Sequence, residues 1–256
     1  MTVRDVLVHP SPEVLAAAAA ARLLTSLVDL QSHRSPVHVV LTGGTVGIKT
    51  LEAVAASPAR EAVDWSGVHI WWGDERFLPD GHADRNETQA RAALLDALGD
   101  ALPAAHVHPM APLDDDVPTP DEAAAAYAAD LAAHAEPGAL VPVFDVLLLG
   151  MGPDGHVASL FPGHPALDVG GVAAVGVHGS PKPPPVRVTL TFDAIRAARE
   201  VWVIAAGAEK AGAVASALAN APVATTPAAG ALGQERTLWL LDAAATQAIT
   251  VEPQTA

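Results

Sequence analysis

The run Phe144-Asp-Val-Leu-Leu-Leu-Gly-Met-Gly-Pro-Asp-Gly-His-Val-Ala-Ser-Leu-Phe-Pro-Gly163 carries the clearest chemistry in this chain. It begins as an unbroken apolar stretch and ends in a glycine-rich turn that holds Asp154 and His156. An imidazole titrates near neutral pH and can serve as a general base. An aspartate two residues away diverges from it on a helix, but on a loop both can face one cavity. Three other segments present groups suited to an anionic ligand. Leu41-Thr-Gly-Gly-Thr-Val-Gly47 stands between a strand-like and a helix-like run, and Gly43, Gly44 and Thr45 let backbone N–H groups approach a phosphate at a helix start. It matches neither a P-loop nor a dinucleotide fingerprint, and a plain strand–helix turn has the same composition. Trp71-Trp-Gly-Asp-Glu-Arg76 offers Asp74 and Arg76, with a local ion pair on an exposed loop as the simpler reading. Asn86 opens the next helix as a substrate contact or as its N-cap. Arg187 and Lys210 each follow or open a strand-like run; taken singly, both read as solvent-facing cations.

These residues need elements that bring them to one edge. A fully apolar run suits a strand buried on both faces of a parallel sheet. In open α/β sheets ligands bind beyond the carboxyl ends of such strands. Strands are expected near residues 5–9, 37–41, 68–72, 144–149, 186–191, 201–206 and 237–241. Helices are expected near 12–30, 48–56, 86–98, 121–133, 192–198 and 210–218. The alternation predicts βαβ crossovers: a single Rossmann-like α/β domain over 1–256, with a mostly parallel central sheet flanked by helices. Residues 109–120 read as a surface loop and Ser180-Pro-Lys-Pro-Pro-Pro185 as a stiff extended segment.

Composition narrows the partners. Lys plus Arg is 14 and Asp plus Glu is 29, a formal net charge of −15, which disfavours nucleic acid and anionic membrane surfaces. An anionic ligand must then be collected by a few local cations, and the chain has only three lysines, Lys49, Lys182 and Lys210. With no cysteine there is no disulfide framework and no thiolate metal site. Asp114-Asp-Asp116 lacks the glycine and distal glutamate of an EF-hand loop and reads as a solvated charge run. The ten histidines other than His156 are read as scattered, most of them surface or satisfied core residues, and no metal is expected. No Gly-x-Ser-x-Gly elbow is present. No apolar stretch reaches membrane-span length, and Met1-Thr-Val-Arg-Asp-Val-Leu-Val lacks a signal-peptide layout, so a cytoplasmic protein is expected.

Taken together and in order, Leu-Thr-Gly-Gly-Thr (41–45), Trp-Gly-Asp-Glu-Arg-Phe (72–77), the 148–163 segment, Pro-Lys-Pro-Pro-Pro-Val-Arg-Val-Thr-Leu-Thr (181–191) and Gly-Ala-Glu-Lys-Ala (207–211) resemble the 6-phosphogluconolactonase family. The resemblance implies metal-independent, cofactor-free hydrolysis of a sugar-phosphate lactone, 6-phospho-D-glucono-1,5-lactone, in the oxidative pentose phosphate pathway, by a monomer or weak homo-oligomer. His156 would be the base, Asp154 its orienting group, and Asp74 a contact to the lactone hydroxyls. Arg76 or the Gly43–Gly44 amides would meet the carbonyl oxygen, and Arg187 and Lys210 would clamp the phosphate beside Thr45. The family usually has Ser-Thr-Pro where this chain has Thr45-Val46-Gly47, and Ser-Asn-Tyr where it has Arg85-Asn86-Glu87; Arg85 is placed to add a substrate contact. Related glucosamine-6-phosphate isomerase/deaminases carry a glutamate five residues after the histidine, where this chain has Phe161. Related sugar-phosphate sensors carry a DNA-binding module, and with so short a run before the first strand none is expected here.

Overall fold

The structure is a computed structural model that describes residues 3–249. Among the described residues nine strands form: β1 Val3–His9, β2 Val37–Leu41, β3 Val68–Trp72, β4 Asp74–Arg76, β5 Phe144–Gly150, β6 Ala174–Val177, β7 Arg187–Leu190, β8 Glu200–Ala205 and β9 Arg236–Asp242. Six of them make one sheet in the order β1-β9-β8-β5-β2-β3, and every pairing in it is parallel. The helices are α1 Pro12–Gln31, α2 Gly44–Ala56, α3 Asn86–Ala90, α4 Asp96–Leu98, α5 Pro120–Ala133, α6 Phe192–Arg196 and α7 Ala211–Leu218.

Side-chain alternation divides the core into two layers. Along β5, Phe144, Leu147 and Leu149 pack with α5, α6 and α7 residues such as Tyr127, Ile195 and Val214. Val146 and Leu148 face the other way, onto Leu23 of α1, Leu51 of α2 and Leu94. A strand covered on both faces must be apolar throughout, which is why this run was legible as a strand. Its one charged member, Asp145, is buried at the amino end. There it accepts the His38 N–H at 2.9 Å and meets Arg34 at 2.7 Å. Local signals set the helix starts. Ser11 accepts from Val14 N with Pro12 in the first turn of α1, and Thr119 and Glu122 form a reciprocal capping box on α5.

Four expectations are corrected. The segment 186–191 does not join the main sheet; β7 pairs antiparallel with β4 and β6 in a separate three-stranded sheet. α2 begins at Gly44 rather than near residue 48, a full turn earlier. Ser180–Pro185 is not a stiff extended segment but a closed loop, in which Ser180 N donates to Pro185 O at 2.8 Å and Ser180 Oγ donates to Lys182 O at 3.0 Å. The histidines are not scattered, for His38, His69, His106, His108 and His134 gather around Trp71 at the β3 edge. Burial, with help from neighbouring rings, pushes His38 down to about 3 and His69 down to about 4, so both are neutral at neutral pH.

Candidate active site

The order of the main sheet reverses direction between β2 and β5. From β2 the chain moves outward to β3, and from β5 it moves the opposite way to β8 and β9. A crevice opens where the connections part. Here Thr42 Oγ1 accepts the Gly150 N–H at 2.9 Å and ties the two strand ends together. A cleft of about 130 Å³ lies at this point, lined by Gly43, Gly44, Thr45, Asp74, Arg76, Asn86, His156, Arg187 and Lys210 among others. The structure thus brings together every expected site residue except Asp154, which stands behind His156, and Arg85, which lies outside the cleft. A larger cavity of about 690 Å³ sits at the opposite, amino-terminal ends of the strands; three of its four arginines, Arg34, Arg199 and Arg236, are already matched by Asp145, Glu235 and Asp5.

The turn after β5 fixes His156. Gly152 N donates to His156 O at 3.0 Å and Gly155 N to Gly152 O at 2.9 Å. A side chain on Gly152 would bring its Cβ within 2.1 Å of the imidazole, so glycine there is what lets the ring lie against the turn. His156 Nδ1 is 2.5 Å from Asp154 Oδ1, an arrangement that puts the proton on Nδ1 and leaves the Nε2 lone pair free. Lys182 Nζ donates to the same Asp154 oxygen at 3.1 Å and lies 3.3 Å from His156 Nδ1. Burial alone would raise the Asp154 carboxyl. The hydrogen bond and charge of His156, together with Lys182, outweigh that and hold it well below the usual carboxylate range. Asp154 is therefore a permanent anion under the ring. Phe161 is fully buried against the other side of His156, with ring centroids 4.5 Å apart.

The α2 start supplies unpaired amides. Gly44 has φ +80°, a left-handed conformation that glycine adopts without strain, and the N-cap Gly43 has no side chain to accept from the first turn. Gly43 is also required sterically, since a Cβ there would stand 1.9 Å from Asn86 Oδ1. Asn86 Nδ2 donates to Asp74 O at 2.8 Å and Asp74 Oδ1 at 3.3 Å, so Asn86 is not the N-cap of α3, a position held by Arg85. Asp74 Oδ2 accepts from buried Ser159 Oγ at 2.6 Å. Arg76 Nη1 donates to Asp84 O at 2.6 Å, and its Nε is buried without a partner among the described residues.

The two remaining cations differ. Arg187 donates from Nε to Pro184 O at 3.1 Å and from Nη2 to Pro183 O and Lys182 O, which fastens the 180–185 loop; its Nη1 is 3.9 Å from Asp74 Oδ2. Lys210 is drawn below the ordinary lysine range by burial, with Glu209 and Asp242 opposing and Lys182 adding to the effect. Arg85 does not enter the cleft. Only 1 % exposed, it donates to Leu78 O and Met110 O and lies 3.8 Å from Glu75, so the expected substrate contact is withdrawn. Sequence reasoning missed Lys182 and Ser159. The first stands in the proline run expected to be a stiff extended segment; the second lies inside the His156 segment. Chemically the cleft pairs a histidine base with amide and cationic groups able to hold an anion.

Residues 10–239 match the family model described as "Glucosamine-6-phosphate isomerases/6-phosphogluconolactonase". The chain is 56 % identical to the 6-phosphogluconolactonase of Streptomyces coelicolor, over 94 % of this chain and 93 % of the relative. It is 47 % identical to that of Mycobacterium tuberculosis, over 92 % of this chain and 94 % of the relative. The structure superimposes on that of 6-phosphogluconolactonase from Trypanosoma brucei with a TM-score of 0.82 and 31 % identity, covering 98 % of this chain and all of the other. With a match of this extent, and relatives this similar along nearly their whole length, the chain belongs to the glucosamine-6-phosphate isomerase/6-phosphogluconolactonase family.

Proposed function

We propose that this protein hydrolyses 6-phospho-D-glucono-1,5-lactone to 6-phospho-D-gluconate, the lactone-opening step of the oxidative pentose phosphate pathway, with His156 as general base. The observation that carries the reading is the 2.5 Å contact between Asp154 Oδ1 and His156 Nδ1 at the edge of a cleft with amides and cations on its other walls. In this mechanism His156 Nε2 takes a proton from water as its oxygen adds to C1 of the lactone. Negative charge developing on the carbonyl oxygen meets Arg76 or the amides around Gly43–Gly44. The C1–O5 bond then breaks, and the imidazolium returns the proton to the departing ring oxygen. Asp154 stays ionised and steadies the imidazolium between the two steps. Asp74, held by Asn86 and Ser159, faces the sugar hydroxyls, and the 6-phosphate rests on the α2 start with Lys210 and Arg187. The same reading has the chain act in the cytoplasm as a monomer or weak homo-oligomer.

Phe161 favours this branch over deamination: an apolar ring, fully buried, packs where the deaminases carry their glutamate. The test is a paired assay of acid release from freshly made lactone, with spontaneous opening subtracted, and ammonia release from glucosamine 6-phosphate. Catalysed lactone opening without ammonia is expected; ammonia release, or neither activity, overturns the reading.

Lys210 yields a separate prediction. Lys210→Ala should weaken 6-phosphogluconate binding about 10- to 100-fold, the range for loss of a charge-assisted hydrogen bond. Because burial lowers the Lys210 ammonium from its ordinary value, it loses its proton earlier than a free lysine as pH rises. Product affinity should therefore begin to decline in the wild type below the pH at which an ordinary lysine loses its proton, and stay level in Lys210→Arg. Titration calorimetry at rising pH decides; a level wild-type profile removes Lys210 from the phosphate site.

A further inference from the structure

We propose that His69, His108 and His134 form a binding site for a late first-row divalent cation, zinc(II) fitting best, at the β3 edge and outside the catalytic cleft. One ring nitrogen from each of the three lies within 4.8 Å of the others. His69 Nδ1 and His108 Nε2 are 2.9 Å apart. Two imidazoles on a tetrahedral zinc with Zn–N near 2.05 Å have their nitrogens about 3.3 Å apart, so a few tenths of an ångström of opening admits the ion. Imidazole donors suit zinc, copper and nickel, not magnesium or calcium.

The surroundings already orient the rings as ligands are oriented in metal sites. A ligating histidine usually donates its other N–H to a carboxylate or a backbone carbonyl. Here His108 Nδ1 is 3.0 Å from Asp130 Oδ2, and His134 Nδ1 is 2.9 Å from Asp130 O. Both rings thereby carry their proton on Nδ1 and present an unprotonated Nε2, and one residue of α5 sets both. Trp71 stacks on His108 with centroids 3.8 Å apart and planes 6° apart, which fixes the ring against tilting. His69 donates its Nδ1 proton to His108 Nε2 without metal; on coordination that proton moves to His69 Nε2, and both rings stay neutral. His69 and His108 are buried, whereas His134 is exposed and leaves the fourth position open to water. The ion would join three elements that no covalent link connects: the edge strand β3, the segment bridged to it through Val107, and the end of α5. His69 sits near the amino end of β3 while the cleft opens beyond its carboxyl end, so the ion serves structure and takes no part in lactone opening.

The test uses the full chain stripped of metal and titrated with cobalt(II) and zinc(II). One cobalt(II) per chain with the intense visible bands of a tetrahedral centre is expected, displaced by zinc(II), with a rise in Tm on zinc addition. Asp130→Ala should weaken binding about 10- to 100-fold, as for loss of an outer-shell partner. His134→Ala, at an exposed position that leaves the fold intact, should weaken it more, and His178→Ala should leave it unchanged. Lactone opening should stay within about twofold in all three variants. Absence of a tetrahedral band, or equal affinity in His134→Ala and the wild type, overturns the proposal.

Discussion

Replacing His156 with alanine is expected to lower kcat for lactone opening by about 10²- to 10⁴-fold, the usual contribution of a positioned base. KM should move little, because the phosphate and hydroxyl contacts come from other elements. The fold should survive. The turn is held by the backbone bonds between Gly152, Gly155 and His156, and Asp154 keeps Lys182 as a partner, so no charge is stranded. The measurement is initial-rate lactonase kinetics with the spontaneous reaction subtracted, beside a thermal melt. Turnover within threefold of the wild type, in a protein that melts normally, would remove His156 as the base.

The second large effect is on stability. Glu75→Ala is expected to cost about 3–5 kcal/mol, the range for breaking a buried ion pair from one side. The Glu75 carboxylate is 1 % exposed and accepts from Arg76 N at 2.8 Å, Asn86 N at 2.6 Å and Glu87 N at 2.9 Å, with Arg85 at 3.8 Å. Burial pushes its carboxyl up to about 6 against the pull of Arg85 and the amides, so at neutral pH it is an anion. Alanine would leave the first amides of α3 without their acceptor and remove one of the two carboxylates beside the buried Arg85 guanidinium, Glu87 being the other at 3.8 Å. The double variant Glu75→Ala/Arg85→Met should cost less than the sum of the two single changes, since one substitution removes the charge the other strands. Denaturant unfolding of the three variants checks this; a loss under 1 kcal/mol for Glu75→Ala would show that water replaces the carboxylate.

The His156 turn and the main sheet could be read from sequence because burial on both faces leaves one signature, an apolar run that stops at glycine. The start of α2 was placed a turn late because Gly43, Gly44 and Gly47 have low helix propensity, and the tertiary setting overrides it. β4 and β6 escaped notice for a related reason. Asp-Glu-Arg carries no apolar alternation, and Ala-Val-Gly-Val is too short to show one. Lys182 was hidden by its prolines, whose composition suggests a stiff extended segment, whereas the loop closes through Ser180 and is fastened by Arg187. The histidine cluster could not be seen because its members come from β2, β3, a connecting segment and the end of α5. Only the strand order makes them neighbours.

β4 is three residues long, yet it divides its labour by parity. Asp74 and Arg76 turn into the cleft, while Glu75 between them turns away to hold the start of α3 and the buried Arg85. Its register against β7 pairs Asp74 with Thr189, Glu75 with Val188 and Arg76 with Arg187. Sliding β4 by one residue would reverse all three faces at once, sending the helix anchor into the cleft and the two cleft residues into the core. Insertions and deletions across this lineage should therefore avoid residues 73–77 and, near them, come in pairs. The exposed stretch at 113–116, which carries no such alternation, is free to change length by any number.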